Sequence, residues 1–156
     1  MYVRSEYLHC VYRPDELADL AARVSAVVKK IKVDALVVTG VSGMAMGFPV
    51  SMLTHVPLIN VRKGCSAHCR YTVEGAVQFM GALKVAILDD FICTGETLTR
   101  MVTALEDDGC FTDVNFTHVI CYNQKAGKDS EYLARKQETA RSAHERLAHV
   151  ELICVN

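Results

Sequence analysis

The sequence predicts a single α/β domain, with a parallel β-sheet core and helices on both of its faces. Short apolar runs alternate along the chain with longer stretches whose apolar residues recur every three or four positions. The short runs are apolar at consecutive positions, which is typical of strands buried on both faces. No internal repeat, low-complexity stretch or linker interrupts the 156 residues, a length that suits one domain with a sizeable core.

The first predicted element is an amphipathic helix that begins near Pro14. Proline is favoured in the first turn of a helix, and Asp15 and Glu16 suit the positive end of the helix dipole. One apolar stripe follows and ends beside Lys29 and Lys30. Its members recur at spacings of three and four: Leu17, Leu20, Ala21, Val24, Val27, Val28 and Ile31.

The remaining elements alternate between strand and helix. Helices are predicted over 42–53, from Leu98 to Gly109, and over about 130–148. Gly47 and Pro49 weaken the first of these predictions. This alternation favours parallel strands joined by helical crossovers. The strands are predicted at 35–38, 57–61, 85–88, 114–122 and 150–155.

Composition and charge argue against some classes of function. The net charge is −1 with both signs interspersed, so no basic face and no nucleic-acid partner are expected. No apolar run approaches the roughly 18 residues that span a membrane, and residues 1–6 have no apolar signal core. The seven cysteines are odd in number and lack paired spacing. A reduced, cytoplasmic protein is therefore expected.

The candidate site lies between Val85 and Thr97. Asp89 and Asp90 follow the strand at 85–88 directly, at the position where open α/β sheets bind ligands. Two adjacent carboxylates repel each other unless something donates to them or neutralises them. A vicinal diol such as ribose O2 and O3 offers two donors at a suitable separation, and a bound metal ion would relieve the charge further.

The stretch Thr94-Gly95-Glu96-Thr97 lies between this strand and the next helix. Gly95 permits a tight turn, the first amides of the helix point into it, and the two threonine hydroxyls add donors, which together can cradle a phosphate. Taken singly, the acidic pair could begin a surface turn and either threonine could cap the helix. In this fixed order the parts are much rarer, and they match the two ends of a ribose 5-phosphate.

This segment resembles the phosphoribosyl pyrophosphate (PRPP) binding motif of the type I phosphoribosyltransferases, at its apolar, Asp-Asp, Thr-Gly and Thr positions. The resemblance implies a five-stranded parallel core and a small hood formed by about residues 1–13 and the C-terminal segment. It also implies that Asp89 and Asp90 bind the ribose hydroxyls and hold Mg²⁺, mainly through the ligand or water. The residues implied to hold the 5-phosphate are Cys93, Thr94, Gly95, Glu96 and Thr97.

A second glycine-bearing turn, 40–43, follows the first predicted strand. In the family this position holds the pyrophosphate loop, which implies that Val41, Ser42 and Gly43 contact PRPP. Two other motifs fail on spacing. A nucleophile elbow would need glycine where Met44 stands, and a dinucleotide fingerprint would need glycine in place of Ser42.

Arg62 and Lys63 open an aperiodic segment, 62–78, which is predicted to be a functional loop. The Arg-Lys pair resembles the start of the family's flexible catalytic loop, and two cations there could meet a departing pyrophosphate. Further on, residues 71–75 (Tyr-Thr-Val-Glu-Gly) are similar to the Tyr-Leu-Glu-Tyr-Gly of adenine phosphoribosyltransferases. This similarity makes Glu74 a candidate catalytic carboxylate and adenine the first candidate base.

Other polar residues are candidates for further roles. Lys125 could contact a 6-oxopurine, as a lysine near that place does in hypoxanthine-guanine enzymes. Cys65, His68 and Cys69 could hold a metal ion, but no fourth ligand lies at a finger-like spacing, so incidental loop residues are favoured. His118 falls within a predicted buried strand, which favours a hydrogen-bonded core or edge histidine.

The residues and the resemblance together predict a Mg²⁺-dependent phosphoribosyltransferase of nucleotide salvage. Such an enzyme takes PRPP and a nucleobase as substrates and releases pyrophosphate, and adenine, hypoxanthine-guanine and orotate types all remain open. The alternative is a regulator on the same fold that binds PRPP or a nucleotide without turnover. The resemblance also implies a homodimer.

Overall fold

The computed structural model describes residues 8–64, 71–75, 82–111, 113–123 and 130–155, and these ranges contain six strands and four α-helices. The strands are β1 (Ala35–Thr39), β2 (Leu58–Val61), β3 (Val73–Gly75), β4 (Ala82–Asp89), β5 (Asp113–Cys121) and β6 (Glu151–Cys154). The helices are α1 (Pro14–Ile31), α2 (Gly40–Thr54), α3 (Glu96–Asp107) and α4 (Ser130–Ser142). Short 3₁₀ turns occupy Cys10–Tyr12 and Glu145–Leu147.

The strands form one sheet in the order β3-β2-β1-β4-β5-β6. β2, β1, β4, β5 and β6 run parallel, which confirms the predicted five-stranded parallel core. β3 adds a sixth, antiparallel edge strand against β2, with Val73 opposite Val61. The prediction of one uninterrupted loop over 62–78 is therefore wrong at 73–75. A three-residue edge strand is too short to carry an alternating apolar pattern.

Helices cover both faces of the sheet, as the sequence predicts. Side chains point alternately to the two faces of a strand. In β1, Val37 therefore joins the core cluster beneath α3 and α4, while Leu36 and Val38 join the cluster beneath α1 and α2. All three are fully buried. In the described ranges, no helix is both long and apolar enough to cross a bilayer.

α2 is continuous through the two residues that weakened its prediction, Gly47 and Pro49. Gly47 is buried, and a Cβ atom placed on it would lie 3.1 Å from Val38 Cγ1. The missing side chain therefore lets α2 pack closely on β1. Burial of one face against the sheet and α1 offsets the low helix propensity of glycine and proline.

The helix predicted over 130–148 is shorter in the structure. α4 ends at Ser142, and the 3₁₀ turn Glu145–Leu147 follows it. His144 Nδ1 accepts the Arg146 amide at 3.3 Å, and Arg146 Nε lies 2.7 Å from Glu106 Oε1 on α3. These side chains bind the end of the segment to α3 rather than extending the helix.

Of the expected hood, residues 1–7 lie outside the described residues.

Candidate active site

Three segments that the sequence singled out meet at one edge of the sheet. β1 ends at Thr39 and leads into Gly40, β2 ends at Val61 and leads into Arg62, and β4 ends at Asp89. Thr39 pairs with Val61, and Asp89 pairs with Cys121 of β5, so these strand ends are adjacent. Parallel strands deliver all of these turns to their carboxyl edge, the usual ligand-binding edge of such sheets.

The acidic pair is buried at the end of β4, with 5% of Asp89 and 7% of Asp90 exposed. Asp89 Oδ1 accepts the Asp90 amide at 2.9 Å and the Ser42 hydroxyl at 3.3 Å. Asp90 Oδ1 accepts the Phe91 amide at 2.9 Å. Burial, and then the neighbouring charge of Asp90, raise the pKa of Asp89 to about 7. Among the described residues, the pair's side chains accept from these three donors, which offset only part of two adjacent negative charges.

This donor set fits a divalent cation held partly by a ligand. Carboxylate oxygens are the ligands that Mg²⁺ prefers, and it commonly binds one or two of them together with substrate oxygens. Among the described residues, no cluster of three or more histidine, cysteine, aspartate or glutamate side chains could hold a metal ion by itself.

Ser42 and Tyr122 connect the acidic pair to the start of α2. Tyr122 is 2% exposed, and its hydroxyl donates to the Ser42 carbonyl at 2.8 Å. Its backbone amide donates to the Asp89 carbonyl at 3.2 Å. Burial raises the pKa of the Tyr122 hydroxyl, so it remains a neutral donor. The sequence reasoning missed Tyr122, although its place directly after β5 was a usable signal.

Lys63 lies over the turn at the start of α2. Gly40 has a φ of 63°, and a Cβ atom built on it would lie 2.8 Å from Lys63 Cε and 3.0 Å from Nζ. The positive φ favours glycine here, and the absent side chain leaves room for the lysine to approach the turn. A cavity of about 600 Å³ opens beside this contact, and Val41, Phe48 and Arg62 contribute to its walls. The lysine and the helix N-terminus make this region suitable for an anion.

Arg62 and Glu74 form an ion pair between β2's end and the edge strand. Arg62 Nη1 lies 2.8 Å from Glu74 Oε1, and Asn60 Nδ2 donates to Glu74 Oε2 at 3.4 Å. Glu74 therefore sits on a strand and beside a cation. Its predicted catalytic role stays a prediction, as do the roles of Arg62 and Lys63.

The turn at 93–97 has the backbone that a phosphate cradle needs. Gly95 has a φ of 89°, and the Glu96 amide donates to the Thr94 hydroxyl at 3.4 Å. Within the described part of the chain, the amides of Thr94, Gly95 and Thr97 donate to no protein group. The Glu96 side chain is exposed. The cradle therefore has unused donors.

The remaining residues to which the sequence analysis gave a possible role are Lys125, Cys65, His68, Cys69 and His118. Lys125, Cys65, His68 and Cys69 fall outside the described residues. His118 is half-buried in β5, with Nδ1 2.8 Å from the Thr117 hydroxyl and Nε2 3.8 Å from Glu151 Oε2. Burial lowers the pKa of His118. It is the hydrogen-bonded strand histidine that the sequence favours.

Comparison with known proteins supports the family resemblance. No protein-family model matches the chain. It is 25% identical over 134 residues to an HGPRTase-like protein of Halomicrobium mukohataei, covering 76% of this chain and 66% of that protein. It is 26% identical over 139 residues to a hypoxanthine/guanine phosphoribosyltransferase of Methanocaldococcus infernus, covering 79% and 70%. The match thus spans just under two thirds of the first relative's length.

Solved structures share the fold. The adenine phosphoribosyltransferase of Saccharomyces cerevisiae superposes with a TM-score of 0.65 at 18% identity, covering 96% of this chain and 83% of that one. The orotate phosphoribosyltransferase of Francisella tularensis gives a TM-score of 0.62 at 16% identity, covering 93% and 67%. The predicted fold and family resemblance are confirmed, and the base is not distinguished by these neighbours.

Titration of Asp89 should make stability depend on pH. A carboxyl whose pKa is raised from 3.8 to about 7 holds its proton in the folded state over a range where the unfolded chain has lost it. Stability therefore falls as pH rises through this window and stays low above it. Each pKa unit is worth about 1.4 kcal/mol. We expect the metal-free protein to lose more than about 1 kcal/mol between about pH 5 and pH 8.

Denaturant unfolding of the wild type and Asp89→Asn, without divalent cations, measures this dependence. The variant cannot ionise at this position, so its stability should change less over the same range. Equal pH dependence in both proteins would contradict the assignment to Asp89.

Proposed function

We propose that the chain is a member of the type I phosphoribosyltransferase family, and that it transfers ribose 5-phosphate from PRPP to a purine base and releases pyrophosphate. One observation carries the proposal. A buried acidic pair, Asp89 and Asp90, lies a few residues from a phosphate-type turn and hydrogen-bonds to the N-terminal turn of α2 through Ser42. These three features match the diol, the 5-phosphate and the pyrophosphate of one ligand.

Each end of PRPP is assigned to its own backbone turn. The 5-phosphate occupies the turn 93–97, where unused amides and a helix N-terminus favour an anion. The ribose O2 and O3 hydroxyls donate to Asp89 and Asp90. The pyrophosphate lies at residues 41–43, beneath Lys63. Mg²⁺ fits beside the acidic pair, where it would neutralise charge on the carboxylates and the pyrophosphate together.

The side chains act by position and charge. Bond cleavage leaves negative charge on the departing pyrophosphate, and the Lys63 ammonium, at the start of α2, is placed to stabilise it. Arg62 adds a second cation nearby, already oriented by Glu74 at 2.8 Å. No side chain needs to bond covalently to the sugar, so the catalytic contribution is orientation and electrostatic stabilisation.

A reducing, cytoplasmic setting belongs to the proposal, since the described cysteines are free thiols.

Two observations support a purine as acceptor. The sequence relatives carry hypoxanthine/guanine names, and the stretch 71–75 is similar to the corresponding loop of adenine enzymes. These point to different purines, so adenine, hypoxanthine and guanine are the bases to compare, with orotate as the pyrimidine. A regulator that binds PRPP without turnover is the alternative function.

Pyrophosphate release measures the activity directly. Incubation with PRPP, Mg²⁺ and each of the four bases in turn should give turnover with at least one purine. Lys63→Met should lower kcat about 10- to 100-fold, because it removes the cation at the leaving group. Lys30→Met, on the exposed surface of α1, is the matched control and should leave kcat unchanged. PRPP binding without turnover would favour the regulator.

We further propose that the chain forms a homodimer through α2. The outward face of this helix is apolar, with Val41 70%, Phe48 57% and Met52 77% exposed. Exposed apolar residues on one helical face are typical of an interface. A second copy is the partner proposed because the family resemblance implies a homodimer.

Met52→Glu should convert the dimer to a monomer, since it places a charge in the apolar face. Light scattering after size-exclusion chromatography measures the mass. Thr103→Glu, exposed on α3, is the matched control and should keep the wild-type mass. A wild-type monomer, or an unchanged mass for Met52→Glu, would contradict the proposed interface.

A further inference from the structure

We infer that Lys136 of α4 is a positioning residue for the phosphate turn at 93–97. The residue lies outside the PRPP motif, 43 residues from its contact in the turn. The inference rests on the proposed function, because it assigns the turn to the 5-phosphate. It depends on three observations: the packing of α4 against the turn, the orientation of one peptide group, and the local balance of charge.

α4 and Ala143, the residue that follows it, form the wall behind the turn. A Cβ atom built on Gly95 would lie 3.0 Å from Ala143 Cβ and 3.3 Å from the Thr139 carbonyl oxygen. The Thr99 hydroxyl donates to the Ala143 carbonyl at 2.7 Å. The turn therefore cannot relax towards α4, and its geometry depends on what that helix presents to it.

Lys136 holds the first peptide of the turn. Its ammonium donates to the Cys93 carbonyl at 3.3 Å. The described peptide bonds are trans, and in a trans peptide the carbonyl and the following N–H point in opposite directions. The Thr94 amide is therefore directed away from α4. Since this amide has no protein partner among the described residues, Lys136 orients an available donor.

The charge balance gives Lys136 a second role. The acidic residues Asp89, Asp90 and Glu96 lie in or within a few residues of the turn along the chain, and a phosphate dianion would add further negative charge. The Lys136 ammonium opposes this excess from behind the turn. It lies 5.7 Å from the centre of the Tyr132 ring, a distance at which the ring face attracts a cation and restrains it.

The sequence favours a different interpretation of this helix. Its mixed charges predict a solvated face with pairs at spacings of three and four. Lys136 is half-buried and donates to a carbonyl in another part of the chain, so this interpretation does not apply to it. Arg135, the preceding residue, is exposed and contacts the same tyrosine ring at 6.0 Å. It offers a matched control.

The experiment compares ligands for the two ends of the site. Calorimetric titration with Mg²⁺ measures the Kd values of PRPP, ribose 5-phosphate and pyrophosphate for the wild type and for Lys136→Met, Lys136→Arg and Arg135→Met. Methionine keeps a long apolar stem and removes the charge. For Lys136→Met we expect the Kd of ribose 5-phosphate and of PRPP to rise about tenfold, the typical effect of losing one charge-assisted hydrogen bond.

Pyrophosphate binds at the other end of the site, so its Kd should not change in Lys136→Met. Lys136→Arg should restore ribose 5-phosphate binding to within about threefold of the wild type, because arginine keeps the charge and a donor. Arg135→Met should bind all three ligands as the wild type does. At saturating PRPP, Lys136→Met should keep its kcat while KM for PRPP rises.

Several results would overturn the inference. One is unchanged ribose 5-phosphate affinity in Lys136→Met; another is an equal loss for pyrophosphate, which would indicate general damage to the fold. Failure of Lys136→Arg to restore binding would also count against it. These results leave the proposed function intact when the wild type binds PRPP. Absence of PRPP and ribose 5-phosphate binding in the wild type would overturn both.

Discussion

The two carboxylates of Asp89 and Asp90, side by side and almost fully buried at the end of β4, impose the constraint on which the site depends. Burial and mutual repulsion favour protonation of Asp89 in the absence of a ligand. The few donors present, the Ser42 hydroxyl and two backbone amides, stabilise the pair only in part. A ligand that brings hydroxyl donors and a cation would therefore stabilise this arrangement. Without it, the folded protein bears the unfavourable energy of two adjacent buried carboxylates.

The surrounding structure can be understood as support for this pair. The sheet brings the ends of β1, β2, β4 and β5 together, so turns that are distant in sequence lie around one position. The Tyr122 hydroxyl, directly after β5, donates to the Ser42 carbonyl at the start of α2, and the Ser42 hydroxyl donates to Asp89. On the other side, α4 packs against the turn at 93–97, where a Cβ atom on Gly95 would lie 3.3 Å from the Thr139 carbonyl oxygen. Rigid strands and helix ends, rather than a loop, therefore position most of the candidate groups.

Local features of the site could be predicted from the sequence, and contacts between distant segments could not. Asp89, Asp90 and Gly95 are recognisable because their roles follow from adjacent residues: an apolar strand before them and a helix after them. Tyr122 and Lys136 could not be predicted as site residues, because their hydrogen-bond partners lie 80 and 43 residues away along the chain. β3 was missed because three residues carry too little pattern. Gly47, which weakens a helix by propensity, is explained by close packing on Val38.

Direct binding of PRPP to the acidic pair is the most decisive measurement for this account. It is made by calorimetric titration of PRPP with Mg²⁺ into the wild type and into the double variant Asp89→Asn, Asp90→Asn. We predict saturable binding by the wild type and an affinity at least about tenfold weaker in the double variant, since its amides cannot supply the two charged acceptors. Absence of binding by the wild type, or equal affinity in the two proteins, would contradict the central claim.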